Sequence, residues 1–150
     1  MKIQHKASVT STNDWAREHA SSGGALPMAF CADEQTAGRG QRANTWDSPC
    51  GWTYLSVALP PVDGPALDLP LQVAHVVREV LETLRGGDGS FWVKPPNDVY
   101  RTAPEGTDAK IAGILVEQTA DALVIGVGID YPPKELVGSV VDAIESHTSL

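Results

Sequence analysis

Two spacings of apolar residues run along this chain, one helical and one extended. Ser11-Thr12-Asn13-Asp14 offers side-chain oxygens to a helix start, and Trp15, Ala16, His19 and Ala20 then recur at helical spacing up to Ser21-Ser22-Gly23-Gly24. Leu71, Ala74, Val77, Leu81 and Leu84 form a second stripe, predicting an amphipathic helix over 71–84 that stops at Gly86-Gly87-Asp88-Gly89. A closing helix is predicted over 133–145. Shorter apolar runs predict strands over 26–32, 51–59 and 91–93, with Val99-Tyr100 continuing a strand. Residues 110–118 and 122–129 read as a hairpin around Thr119-Ala120-Asp121. Residues 36–48 read as a glycine-rich polar loop, 60–70 as a proline-bearing connection and 101–108 as a turn or short mobile loop. No element is predicted before Ser8. Strands that follow one another, with helices between only some of them, imply a single α+β domain over 1–150 with a mixed, mostly antiparallel sheet.

Composition narrows the class. A chain of 150 residues, 42% hydrophobic and 20% charged, has the makeup of an ordinary globular domain. Its formal charge of −8 argues against broad nucleic-acid binding, which relies on many phosphate contacts. An acidic protein partner would be slowed unless it met a basic face. Met1-Lys2-Ile3-Gln4-His5-Lys6 has no apolar targeting core, and no apolar run approaches the roughly 20 residues of a membrane span. Cys31 and Cys50 form no CxxC pair, so a reduced cytoplasm is expected. His5, His19, His75 and His147 lie at no ligand spacing, so no structural zinc is expected.

Three segments carry candidate chemistry. In Glu34-Gln35-Thr36-Ala37-Gly38-Arg39-Gly40-Gln41-Arg42-Ala43-Asn44-Thr45-Trp46, glycines let backbone N–H groups approach a ligand. Arg39 and Arg42 can fork onto a phosphate or carboxylate, and Trp46 offers a face to a purine. The plain alternative is a flexible surface loop with two solvated arginines. In Lys94-Pro95-Pro96-Asn97-Asp98, two prolines stiffen the chain beside an amide suited to a phosphate oxygen and a carboxylate suited to Mg²⁺. The alternative is an ordinary proline turn capped by Asn and Asp. In Lys110-Ile111-Ala112-Gly113-Ile114-Leu115-Val116-Glu117, the lysine can offset developing negative charge and Gly113 lets a ligand pack on the strand. The alternative is a strand-end lysine reaching solvent.

The order of these blocks, from Ser-Thr-Asn through the glycine–arginine loop and Lys-x-Pro-Asn-Asp to Lys-x-x-Gly-Ile-Leu-x-Glu, resembles the catalytic domain of biotin protein ligases. The resemblance runs from about Ser11 to Asp130. It implies the class II synthetase-like fold of biotin and lipoate ligases and a two-step reaction. Biotin and ATP give biotinyl-adenylate, and the acyl group passes to a lysine of the biotin carboxyl carrier domain of a carboxylase. It also implies roles. Ser11, Thr12 and Asn13 would bind the ureido ring, and Gln35 would border its pocket. Gly38, Arg39, Gly40 and Gln41 would fold over biotin and the adenylate, with Gly113 beneath. Arg42, Trp46, Asn97 and Asp98 would serve the nucleotide, Asp98 holding Mg²⁺. Lys110 would sit by the biotin carboxylate and, with Arg39, act in catalysis.

Four positions depart from the family pattern. Gln41 stands where many members have arginine, and Pro95 replaces a tryptophan of Lys-Trp-Pro-Asn-Asp. Asp130 takes the place of an asparagine. Ala43 replaces a glycine, which restricts the loop if that position needs φ > 0. The chain ends after one predicted helix where members continue into a small β-barrel, so a domain lacking the barrel is expected. No DNA-binding domain precedes it, so transcriptional repression is not expected. A non-catalytic binder of biotin or a related acid, and a ligase for another acid such as lipoate, are the competing readings. A monomer or weak homodimer pairing through a sheet edge is expected.

Overall fold

The computed structural model describes residues 1–85 and 87–148. Gly86, part of the predicted helix stop, lies outside the described residues. The chain runs β1 (Lys2–Val9), α1 (Thr12–Ser21), β2 (Met28–Gln35), β3 (Thr53–Leu59), α2 (Leu69–Leu84), β4 (Phe91–Lys94), β5 (Asp98–Thr102), β6 (Asp108–Gln118), β7 (Leu123–Ile129) and α3 (Leu136–Thr148), with a 3₁₀ turn at Gln41–Ala43. The strands form one sheet in the order β1-β2-β3-β7-β6-β5-β4. β1 pairs with β2 in parallel, with α1 as the crossover between them, and every other pairing is antiparallel. The sheet is therefore the expected mixed, mostly antiparallel one.

Alternation along the central strands sends side chains to two different layers. Leu55, Val57 and Leu59 of β3, with Leu123, Ile125, Val127 and Ile129 of β7, join Val73, Val77 and Leu81 of α2 and Val140, Val141 and Ile144 of α3 in the main core. Ala58 and Val124 point the other way and meet Phe30, Ala16 and Ala20 beneath α1. Trp15 closes that smaller cluster, edge-on to Phe30 at 4.9 Å between ring centroids. α2 packs against β4, β5 and β6, whereas α1 packs on β2, β3 and β7. The α1 side of β6 is met instead by the loop between β2 and β3, whose Trp46 lies against Gly113. This half-covered face is where a site can form.

Two expectations are corrected. β1 is a full strand, although none was predicted there. Its residues from Lys2 to Ser8 are all exposed, so no apolar alternation marks it, and Lys2 and Lys6 are the charged positions typical of a protected sheet edge. Residues 101–108 are not all loop. Arg101 and Thr102 complete β5, Asp108 opens β6, and only 103–107 turn, with the Ala103 N–H donating to Thr107 O at 2.8 Å.

Ile125, fully buried at the centre of β7, carries much of the main core. Ile125→Ala is expected to cost about 2–5 kcal/mol in urea unfolding. A loss below about 1 kcal/mol would contradict that packing.

Candidate active site

The floor of the open face is backbone. Gly113 of β6 pairs with Gly128 of β7, and Leu115 with Gly126. A Cβ at Gly128 would lie 2.6 Å from Trp46 Nε1, and one at Gly113 would lie 2.9 Å from Trp46 Cζ3. A Cβ at Gly126 would fall inside the Asn13 amide. The indole and the amide thus rest directly on the sheet, which only glycine permits.

The expected loop of 36–48 is an ordered hairpin at its centre. Trp46 N donates to Gly38 O at 2.8 Å, Arg39 bridges to Thr45, and Gly40 N donates to Asn44 O at 2.7 Å. At its tip Arg42 (φ 55°) and Ala43 (φ 60°) both take the left-handed conformation. Ala43 therefore occupies a position that does require positive φ, at a cost of about 1–2 kcal/mol that glycine would avoid.

Beneath the hairpin lies a connected polar network. Ser11 Oγ caps α1 by accepting from Asp14 N at 3.0 Å. Gln35 Oε1 accepts from Thr12 N at 2.8 Å, and Gln35 Nε2 donates to Ser48 Oγ at 2.9 Å. Ser48 in turn donates to Trp46 O at 2.8 Å. Ser56, buried in the middle of β3, touches both Thr12 Oγ1 and Asn13 Oδ1. Asn13 Oδ1 can only accept, so the Ser56 hydroxyl donates to it. Asn13 Nδ2 donates to Glu117 Oε1 at 2.9 Å, and Glu117 receives both Arg39 Nη1 and Nη2, each at 2.9 Å. Arg39 Nη2 also donates to Asp14 Oδ1 at 2.6 Å. Burial pushes the Glu117 carboxyl up, but the hydrogen bonds from Arg39 and Asn13 and the charges of Arg39 and Arg17 outweigh it and hold the group below its ordinary value. The same hydrogen bond from Arg39 to Glu117 raises the guanidinium further.

Beside this network opens a cavity of about 590 Å³, within the roughly 300–1,000 Å³ of small-molecule sites. Arg42, Trp46, Asn97, Asp98 and Lys110 line it. A β-bulge decides that Lys110 belongs here. Val99 pairs with Ala112 but Tyr100 pairs with Lys110, so Ile111 is an extra residue. In a regular strand without the bulge Lys110 would follow Ala112 and Ile114 into the main core. The bulge turns it to the open face, a known use of such irregularities. Lys110 Nζ then lies 2.9 Å from Asp98 Oδ1 and 5.0 Å from the Trp46 ring centre. That ion pair is not an aligned hydrogen bond, and Asp98 Oδ1 is buried without such a partner. Burial raises the Asp130 carboxyl, opposed by the charge of Lys110 and reinforced by Asp47. A narrow slot lined by Ser11, Thr12, Asn13, Gln35, Gly126 and Gly128 shares Trp46 and Gly113 with the cavity.

The expected site residues therefore divide into three groups. Gly40, Gln41, Arg42, Trp46, Asn97, Asp98, Lys110 and Gly113 line the cavity, and Ser11, Thr12, Asn13 and Gln35 line the slot. Arg39 lines neither: its fork is spent on Glu117 and Asp14, and its Nε–H is buried without a partner. Gly38 lines neither and shapes the hairpin, where a Cβ would collide with Trp46 O. Asn97 uses its amide N–H on Ile114 O at 2.9 Å, so it braces β6 as well as facing the cavity. Glu117, Ser48, Ser56, Gly126 and Gly128 were not expected in the site. Only the Gly126-x-Gly128 alternation in an apolar strand signalled a close approach.

A half-covered mixed sheet, a glycine floor and a cavity holding Arg42, Asp98 and Lys110 beside a polar slot make up a candidate small-molecule site. The chain belongs to the Biotin/lipoate A/B protein ligase family, whose sequence profile matches residues 6–130. It is 42% identical over 122 residues to the bifunctional ligase/repressor BirA of Escherichia coli (strain K12), covering 76% of this chain and 36% of that protein. It is 31% identical over 116 residues to the biotin–[acetyl-CoA-carboxylase] ligase of Paracoccus denitrificans, covering 73% of this chain and 46% of that one. The chain thus spans less than half the length of these relatives. Its fold matches the crystal structure of Leishmania major biotin protein ligase in complex with biotinyl-5-AMP, with a TM-score of 0.83, 27% identity and coverage of 99% of this chain and 75% of that one. The architecture is the biotin ligase catalytic fold.

Two outcomes are expected. Glu117 is held below its ordinary 4.5, so its stabilising contribution is complete above that pH and lost as pH falls through the lower folded value. Thermal melts between about pH 3 and 6 should show a shallower acid-side loss in Glu117→Gln than in the wild type, and equal slopes would contradict the assignment. Gly128→Ala should displace Trp46 and shift tryptophan emission, whereas an unchanged spectrum would contradict the glycine floor.

Proposed function

We propose that the chain, as one catalytic-type domain over 1–150, activates biotin as an acyl-adenylate and passes it to a lysine of a carrier domain of a carboxylase. The observation that carries this reading is Lys110, turned by a bulge into a cavity that shares Trp46, Gly113 and Leu115 with a slot of hydroxyl and amide groups. The slot's hydroxyl and amide groups are of the types that suit a ureido ring, each now held by a partner in the network, and the ammonium suits the carboxylate at the other end of the same acid. The bound molecule named for the Leishmania major ligase, biotinyl-5-AMP, supports this choice of acid and nucleotide. The name of the Paracoccus denitrificans relative supports an acetyl-CoA carboxylase as the source of the acceptor.

In this mechanism a carboxylate oxygen of biotin attacks the α-phosphorus of ATP, and the bond to the bridging oxygen breaks, releasing pyrophosphate. Lys110 offsets charge on the carboxylate and the pentavalent phosphorus, and Arg42 neutralises phosphate oxygens. Among the described residues no cluster of three or more His, Cys, Asp or Glu side chains could hold a metal ion. Mg²⁺ here needs only one protein carboxylate plus the phosphates, and Asp98 is the cavity carboxylate that would supply it, its Oδ1 already lying 2.9 Å from Lys110 Nζ. When bound, the ion would neutralise phosphate charge. The acceptor lysine, as a free amine, then attacks the acyl carbon, loses a proton, and AMP leaves. The hairpin over the slot would keep water from the anhydride.

The reading includes a cytoplasmic location, supported by two free cysteines, Cys31 and Cys50. Among the described residues no helix is long and apolar enough to cross a membrane. Nucleic acid is not a partner in this reading. A monomer or weak homodimer is proposed, the latter pairing at an open sheet edge.

Pyrophosphate release on mixing with biotin and Mg-ATP tests the proposal. Lys110→Met should lower it about 100- to 1,000-fold while leaving the far-ultraviolet circular dichroism unchanged. An unaltered rate in Lys110→Met would contradict the role of Lys110.

A further inference from the structure

We propose that Glu117 is a positioning residue that couples the acid slot to closure of the 38–46 hairpin. The proposal rests on the ligase reading above and adds to it a residue that lines neither the cavity nor the slot. Glu117 stands on β6, its side chain 21% exposed. Oε1 accepts from Asn13 Nδ2 and from Arg39 Nη2, and Oε2 accepts from Arg39 Nη1, all at 2.9 Å. One carboxylate therefore holds a slot residue and a hairpin residue together.

Each contact has its own consequence. The Asn13 amide is oriented by this acceptor: with Nδ2 turned to Glu117 and Leu115 O, Oδ1 faces Ser56 over Gly126. Losing the carboxylate frees the amide to flip and reverses the donor–acceptor pattern next to the slot. The Arg39 fork is the hydrogen-bonded side-chain tie from the hairpin to β6, beside the Trp46 ring that lies on Gly113 and near Lys110, while Arg39 also reaches Asp14 on α1 and the Trp46 carbonyl accepts from Ser48 at the hairpin's base. A planar two-bond pair of this kind fixes direction as well as distance, which a single ammonium would not. Asp14 also holds Arg39, at 2.6 Å, but the Asn13 amide bonds to Glu117, Leu115 and Ser56 rather than to it. Arg17 approaches Glu117 Oε2 no closer than 3.6 Å and adds charge without a fork.

The variants Glu117→Gln, Arg39→Met, the double variant and Asp14→Asn are to be compared in biotin-dependent pyrophosphate release and in tryptic cleavage after Arg42. Glu117→Gln is expected to raise KM for biotin about 10- to 100-fold, with kcat within about threefold, and to speed cleavage at Arg42. Arg39→Met on top of Glu117→Gln should change either readout by less than about twofold, because the two act as one unit. Asp14→Asn should speed cleavage with a smaller rise in KM. A purely structural role would instead reduce kcat with no selective KM effect, whatever the change in melting temperature, and that result would overturn the proposal. So would additive effects in the double variant. If the wild type releases no pyrophosphate with biotin, the ligase reading fails by itself. The coupling is then judged by cleavage alone, and equal rates in the wild type and Glu117→Gln overturn it.

Discussion

Gly113, Gly126 and Gly128 set the constraint on which the open face depends. They place bare backbone where Trp46 and Asn13 must lie, and any side chain there would lift both away from the sheet. The close approach lets Asn13 reach Ser56 and Glu117 at once, and lets Trp46 form a wall shared by slot and cavity. Glycine in a strand normally weakens it. Here β7 offsets that weakness with Leu123, Ile125, Val127 and Ile129 on the opposite side, all in the main core. One strand thus provides a packed layer on one side and an accessible surface on the other.

The polar groups under the hairpin are costly to bury singly and are therefore linked. Ser56 is fully buried in a central strand, where an unpaired hydroxyl would be unfavourable. Asn13, Thr12 and Gln35 carry the chain of bonds out to Ser48 and the Trp46 carbonyl, so the start of α1, the end of β2 and the hairpin hold one another in register. Electrostatics follow the same logic. A chain of net charge −8 concentrates Lys110 and Arg42 at the cavity, a local cationic site within an acidic molecule. Asp98 lies 2.9 Å from the Lys110 ammonium there, while Asp130, its carboxyl raised by burial, holds its charge less readily than an ordinary aspartate.

Much of this was legible from sequence because it follows from local chemistry. The N-cap at Ser11, the apolar stripe of α2 and the β6–β7 hairpin appeared where the residue types put them. Ala43 was marked by its substitution for glycine, and its φ of 60° shows why that position matters. What escaped depends on contacts distant in sequence. β1 has no buried face, so its apolar residues carry no pattern, and its existence depends on β2 offering an edge after the α1 crossover. The direction of Lys110 depends on a bulge, and a one-residue irregularity reverses every expectation based on alternation. Arg39 reads as a phosphate ligand until Glu117, 78 residues further on, is seen to hold its fork. Conversely, Asn97 reads as a ligand group and turns out to brace β6 as well.

The claim that the slot and cavity together accept one ureido-bearing acid is tested most directly by isothermal titration with biotin, with lipoate as the comparison, before and after addition of Mg-ATP. The account expects saturable one-to-one binding of biotin, much weaker binding of lipoate, and tighter retention of biotin once the nucleotide is present. Absence of heat with biotin, or equal affinity for the two acids, would contradict it.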